Sequence, residues 1–171
     1  LKSAKQPTYE LAYAELKKRI YEEFDRHQYV LGKGVLSKTE ELRFQEILSL
    51  KAEEDLYTDA LGFLSKCLFK YHGKNTIILI DEYDVPLENA YFEGFYDKMI
   101  KFIRSLFESA LKTNPYLEKS VITGCLRISK ESIFTGLNNL ETDSVLHTRY
   151  GDSFGFTQEE VEELLAYYGL S

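Results

Sequence analysis

The sequence predicts an α/β fold with a mostly parallel sheet, and three observations support this. Thr76–Ile80 is a run of aliphatic and β-branched residues, apolar on both faces, which suits a central parallel strand covered on both sides. Phe95–Ala110 repeats apolar residues with a helical period. Ser120–Thr123 is typical of a second strand, so strand, helix and strand form a right-handed crossover unit. The 171 residues fit a single domain, 1–171.

Three helices are expected before the first strand. Thr8 is placed to cap a helix whose apolar residues recur every three or four positions. Ser37 and Glu40 have the spacing of a capping box, which predicts a short second helix. Leu56–Leu68 carries an apolar face typical of a third helix, and Gly73 fits a left-handed stop after it.

The part of the chain after the second strand has weaker signals. Gly124–Leu140 is polar and contains glycine and asparagine, which is typical of a loop. Leu146–Phe156 is expected to hold one more short strand. Thr157 and Glu160 form a second capping box, which predicts a last helix from near Gln158 to about Tyr168.

The composition excludes several function classes. The net charge is −7, and no basic block is longer than Lys17–Arg19, which argues against direct nucleic-acid binding by this chain. The longest aliphatic run, Ile77–Ile80, is far too short for a membrane helix, and no signal-peptide pattern is present. Cys67 and Cys125 lie far apart without metal-ligand spacing, which favours reduced thiols in a cytoplasmic protein.

The first predicted strand ends in two acids, Asp81 and Glu82. Ligands of open α/β sheets bind beyond the carboxyl ends of the strands. In nucleotide-hydrolysing P-loop proteins, an aspartate at this place holds the magnesium, and a neighbouring glutamate can orient and deprotonate the attacking water. The alternative is a strand that simply meets water at its end. Asp84, before Val85-Pro86, is either a turn or capping residue or an outer partner of the metal.

A family resemblance adds to this interpretation. The chain resembles the bacterial AAA-ATPase-like family, P-loop ATPases often joined to a C-terminal nuclease-like domain of the PD-(D/E)xK type. The segments that carry the resemblance are "IILIDEYDVPLENAY", "FIRSLFESALKTNPYLEKSVITGCLRISKESIFTGLNNL" and "FGFTQEEVEELLAYYG".

The resemblance implies a P-loop NTPase-like, three-layer fold that uses ATP and Mg2+. Asp81 would bind the metal and the nucleotide, and Glu82 would be catalytic as the second acid of a Walker B pair. Thr123 would be a sensor near the terminal phosphate, unless it is only a strand-end hydroxyl. Arg127 would reach a phosphate or a neighbouring element and act in catalysis, unless it forms a surface ion pair.

One part of the family pattern is missing from the chain. A Walker A loop requires GxxxxGK[ST], and Gly32-Lys33-Gly34 does not match it. We therefore expect the family's first strand, P-loop and first helix to precede Leu1. We also expect that segment, or another copy, to cover the gap in the sheet. The chain by itself is then expected to bind ATP weakly or not at all.

Two other function classes stay open. A truncated ATPase fold without its P-loop would serve as a non-catalytic interaction module. A metal-dependent nuclease would use Asp81, Glu82 and Asp84, but such enzymes pair their acids with a lysine on the same strand, and "DEY" offers none.

Overall fold

The computed structural model describes residues 5–125, 133, 140–144, 147, 149 and 155–170. The chain divides into two compact units, Leu1–Asn138 and Asn139–Ser171. In the described residues, no helix combines the length and the hydropathy needed to cross a membrane.

The first unit is mixed helix and strand, and it is compatible with an α/β fold. Its elements in chain order are α1 Tyr9–Arg26, the 3-10 turn Gln28–Val30, α2 Lys38–Leu48, α3 Glu54–Thr58, α4 Ala60–His72, β1 Thr76–Ile80, α5 Val85–Phe92, α6 Tyr96–Phe107, the π-helical turn Glu108–Lys112 and β2 Leu117–Ile122.

The N-terminal helices form where their caps and apolar spacing predict them. The Thr8 hydroxyl accepts the Leu11 N–H at the start of α1, and the face buried by α1 consists of Ala12, Leu16, Ile20 and Phe24. The Ser37 and Glu40 capping box is present at α2. The third predicted helix is interrupted at Asp59, which separates α3 from α4, and Gly73 ends α4 with a φ of 65°.

Glu40 also joins α2 to α4. Lys70 and Lys66 approach its carboxylate at 2.7 and 2.9 Å. Burial by itself would raise the pKa of Glu40. Hydrogen bonds from Lys70, Lys66 and the Ser37 N–H outweigh this effect and lower the pKa to about 2. The same carboxylate therefore caps one helix and pairs with another.

The sheet in the described residues has two parallel strands, β1 and β2. Their register places Leu79 beside Val121 and Ile80 beside Ile122. The connection between them runs through α5, α6 and the π-helical turn, as the predicted strand–helix–strand unit requires. The register brings the carboxyl ends of both strands to the same edge of the sheet.

One face of the sheet is exposed, which differs from the prediction for β1. Ile80 is buried, but Ile77 and Leu79 are 62% and 73% exposed, and their neighbour Val121 is 44% exposed. Side chains alternate between the two faces of a strand, so these three lie together on the outer face. The helices of the first unit cover the inner face, and the described residues leave the outer face open.

The second unit contains α7, Gln158–Tyr167. Its capping box is formed by Thr157 and Glu160, as the sequence predicts. The strand expected within Leu146–Phe156 lies mostly outside the described residues.

Candidate functional site at the strand ends

The carboxyl ends of β1 and β2 are tied together beyond the regular ladder. The Thr123 N–H donates to the Ile80 carbonyl at 2.9 Å, and the Tyr83 N–H donates to the Thr123 carbonyl at 3.1 Å. These two bonds hold the residues that follow each strand side by side. Side chains 42 positions apart in the chain therefore meet at one place.

Asp81 and Thr123 are in direct contact there. The Thr123 hydroxyl Oγ1 donates a hydrogen bond to Asp81 Oδ1. Both side chains are exposed, so a ligand has access to the carboxylate and the hydroxyl. The structure therefore brings together two of the residues that the sequence singles out.

Glu82 has an unusual backbone. Its φ is 53°, in the left-handed region, and Leu50 is the other non-glycine residue in the described part of the chain with a positive φ. An L-residue with a side chain is destabilised in this conformation, and such strain is concentrated at functional sites. The turn sets Glu82, which is half-buried, immediately beside the Asp81–Thr123 pair.

Asp84 is buried rather than available to a metal. Its side chain belongs to the buried polar groups at 3% exposure, and its Oδ2 accepts the Cys125 N–H at 2.9 Å. The backbone carbonyl of Asp84 also accepts the N–H groups of Leu87 and Glu88, which starts α5. The position is thus a helix start, as one interpretation predicted. Its carboxylate instead bonds to the end of β2. This does not fit a nuclease in which Asp81, Glu82 and Asp84 together bind a solvent-accessible metal ion.

Gly124 and Cys125 are functional candidates that the sequence analysis missed. A Cβ at position 124 would lie 2.6 Å from Tyr83 Cε1 and 2.8 Å from Asp84 Oδ1. Only glycine fits there without a shift of its neighbours. The signal in the sequence was a glycine directly after a predicted strand, which often marks a close approach of backbone.

The strand ends present a carboxylate and a hydroxyl, and both are oxygen donors of the kind found in Mg2+ sites. No group of three or more His, Cys, Asp or Glu among the residues described in the structure is arranged to hold a metal. Mg2+ is commonly held by one or two protein oxygens together with substrate phosphates and water. The Asp81 carboxylate, with the Thr123 hydroxyl next to it, offers that kind of partial site. Arg127 lies outside the described residues.

Comparison with known proteins decides the family. The family model described as "Predicted AAA-ATPase" matches residues 2–134, which include Asp81, Glu82 and Thr123. The chain belongs to this predicted AAA-ATPase family. The match covers both strands and the residues that follow each of them, and so confirms the family resemblance of the sequence.

The chain is also similar in sequence to part of a longer protein. The chain is 30% identical over 95 residues to "Uncharacterized protein in vnfD 5'region" from Azotobacter chroococcum mcd 1. The aligned part is 55% of this chain and 18% of that protein, so the chain spans a small share of its relative's length. No solved structure matches the chain.

Proposed function

We propose that this chain supplies the Walker B and sensor part of an ATP-hydrolysing P-loop ATPase that couples Mg-ATP hydrolysis to a conformational change. The observation that carries the proposal is the hydrogen bond from the Thr123 hydroxyl to the Asp81 carboxylate. It lies at the carboxyl ends of neighbouring parallel strands, where α/β proteins bind ligands. The family match supports the same reaction class.

Each residue has a distinct part in this proposal. Asp81 would hold Mg2+, which neutralises phosphate charge when the nucleotide is bound. Glu82, next to it on the strained turn, would orient water and accept its proton. Thr123 fixes the carboxylate of Asp81 and presents its hydroxyl on the same side. Arg127, three residues after Gly124 in the matched region, would contact a phosphate.

The exposed face of the sheet supports a larger, three-layer arrangement in the full-length protein. Parallel sheets are almost always covered on both faces, yet Ile77, Leu79 and Val121 are open here. We propose that a helix of the full-length protein, from the segment that also supplies the phosphate-binding loop, packs on this face. Replacing Leu79 with Glu should then lower the melting temperature of the full-length protein. The same change at Leu42, which is 65% exposed on α2, should not.

The catalytic assignment is tested with Glu82→Gln in the full-length protein. The variant keeps the size of the side chain and one acceptor oxygen but cannot accept the proton from water. We expect Mg-ATP binding to persist and turnover to fall at least a hundredfold, as general-base loss implies. Glu93→Gln, an exposed glutamate at the end of α5, is the matched control. Equal ATP turnover in Glu82→Gln and wild type would refute the assignment.

A second candidate function is a non-catalytic interaction module, and the open apolar face of β1 favours it. Under this alternative the strand-end residues are structural, and the face of Ile77 and Leu79 binds another protein. Calorimetry with Mg-ATP separates the two functions, because the module predicts no nucleotide binding by the full-length protein. Binding at micromolar concentration that is lost in Asp81→Ala supports the ATPase.

A further inference from the structure

A buried carboxylate connects the two strand ends. Asp84 sits directly after the Asp81-Glu82-Tyr83 turn, and it is 3% exposed. Its Oδ2 accepts the backbone N–H of Cys125, which lies two residues beyond Thr123. Burial of a carboxylate is costly unless hydrogen bonds compensate it, and the Asp84 side chain makes no capping hydrogen bond to α5. The carboxylate is therefore best explained by what it holds.

The fit around Gly124 shows how tightly the two segments approach. An added Cβ would contact Tyr83 and Asp84 at 2.6 to 2.8 Å, closer than real Cβ contacts. The Tyr83 N–H, in turn, donates to the Thr123 carbonyl. Gly124 is itself exposed, but the side on which a Cβ would stand packs against Tyr83, which pairs with Thr123, and Asp84, which holds Cys125.

We propose that Asp84 is a positioning residue of the site, and that together with Gly124 it sets where the Thr123 hydroxyl meets Asp81. This inference rests on the proposed ATPase function. Asp84 holds the backbone two residues after Thr123, and the Tyr83 N–H holds Thr123 itself. If the bond between Asp84 and the Cys125 N–H is lost, the end of β2 can rotate. This rotation moves the Thr123 hydroxyl away from the Asp81 carboxylate, which would carry Mg2+. Asp84 acts through Thr123 and does not touch the reacting atoms.

Two independent variants break the contact, and one glycine variant provides the control. Asp84→Ala removes the acceptor of the Cys125 N–H, and Gly124→Ala pushes the two segments apart. Gly62→Ala is the control, because its Cβ would lie 2.9 Å from the Ser109 carbonyl, a similar clash between α4 and the π-helical turn. Asp84→Asn keeps an oxygen acceptor at nearly the same place.

Amide hydrogen exchange of the 171-residue chain measures the contact directly. We expect exchange at Cys125 and Tyr83 to become at least tenfold faster in Asp84→Ala and in Gly124→Ala. In Gly62→Ala we expect the exchange rates of both amides to stay within threefold of wild type. In Asp84→Asn we expect the same of the Cys125 amide. Unchanged exchange at both amides in Asp84→Ala would overturn the proposal, and Gly124→Ala decides the matter if Asp84→Ala does not fold.

ATP turnover by the full-length protein measures the consequence. Asp84→Ala and Gly124→Ala should lower kcat at least tenfold per folded molecule while KM for ATP changes less than threefold, and Asp84→Asn should recover most of kcat. A loss of kcat no larger than that of Gly62→Ala would show a purely structural role and overturn the proposal. Failure of the ATPase proposal itself would appear separately, as wild-type turnover that Glu82→Gln does not reduce.

Discussion

The strained backbone at Glu82 predicts a reversed preference between alanine and glycine. Both substitutions remove the same side chain beyond Cβ, so their difference isolates the backbone at φ 53°. An L-residue in the left-handed region costs about 1–2 kcal/mol relative to glycine. The greater freedom of glycine in the unfolded chain offsets about 0.4–1 kcal/mol of this. Glu82→Gly is therefore expected to be more stable than Glu82→Ala by about 0.5–1 kcal/mol.

Two other positions serve as controls for the Ala/Gly comparison, one with the same expected sign and one with the opposite sign. Leu50, with a φ of 59°, should show the same sign as Glu82. Gln45 is exposed within α2, where glycine is less favourable than alanine by about 1 kcal/mol, so the sign should reverse. The three Ala/Gly pairs thus separate backbone strain from a general effect of glycine.

Urea unfolding followed by far-UV circular dichroism measures these differences. With a denaturant slope of about 1–3 kcal/mol/M, the Glu82 pair should differ in its midpoint by roughly 0.2–1 M, glycine being higher. A urea midpoint for Glu82→Ala equal to or higher than that for Glu82→Gly would refute the backbone strain. Since Glu82→Gly also removes the proposed base, it should gain stability over Glu82→Ala without regaining ATP turnover.

Two further predictions concern titratable groups elsewhere in the first unit. The pKa of Glu40 is lowered to about 2, so its contribution to stability is complete above about pH 4.5 and is lost as the pH falls toward 2. Glu40→Gln should lower the free energy of unfolding by on the order of 1–2 kcal/mol at pH 7, a value reduced by solvent screening because Lys66 and Lys70 are partly exposed. Urea titrations at low pH should show the difference in stability between the variant and wild type disappear. Burial raises the pKa of the Cys67 thiol to about 12, so a thiol reagent at pH 8 should label the exposed Cys125 in the folded chain and both thiols only in urea; prompt labelling of Cys67 in the folded chain would contradict its burial.

The elements with local chemical signals could be predicted from the sequence. The capping boxes that begin at Ser37 and Thr157 are present, because their hydrogen bonds involve residues only three positions apart. The first strand has the predicted bounds, Thr76–Ile80, and the second begins three residues earlier than predicted, at Leu117. The contact of Asp81 with Thr123 follows from the parallel arrangement of these strands.

The remaining features depend on tertiary contacts that no local pattern encodes. The left-handed backbone of Glu82 was not predictable, since glutamate carries no preference for that conformation. The bond from Cys125 to Asp84 and the close fit of Gly124 join segments about 40 positions apart. The aliphatic pattern of β1 predicted cover on both faces. Such a pattern shows that both faces of a strand can be buried, but it does not identify the segment that covers each face.

The crossover between the strands has a consequence for the order in which the site forms during synthesis. Asp81 leaves the ribosome 42 residues before Thr123, its hydrogen-bonding partner. At typical elongation rates of about 5–20 residues per second, the acidic turn waits on the order of seconds without the hydroxyl that orients it. A nascent chain halted before β2 would thus carry both acids but no assembled site. Under the proposed function, nucleotide chemistry would begin only after the whole crossover has been translated.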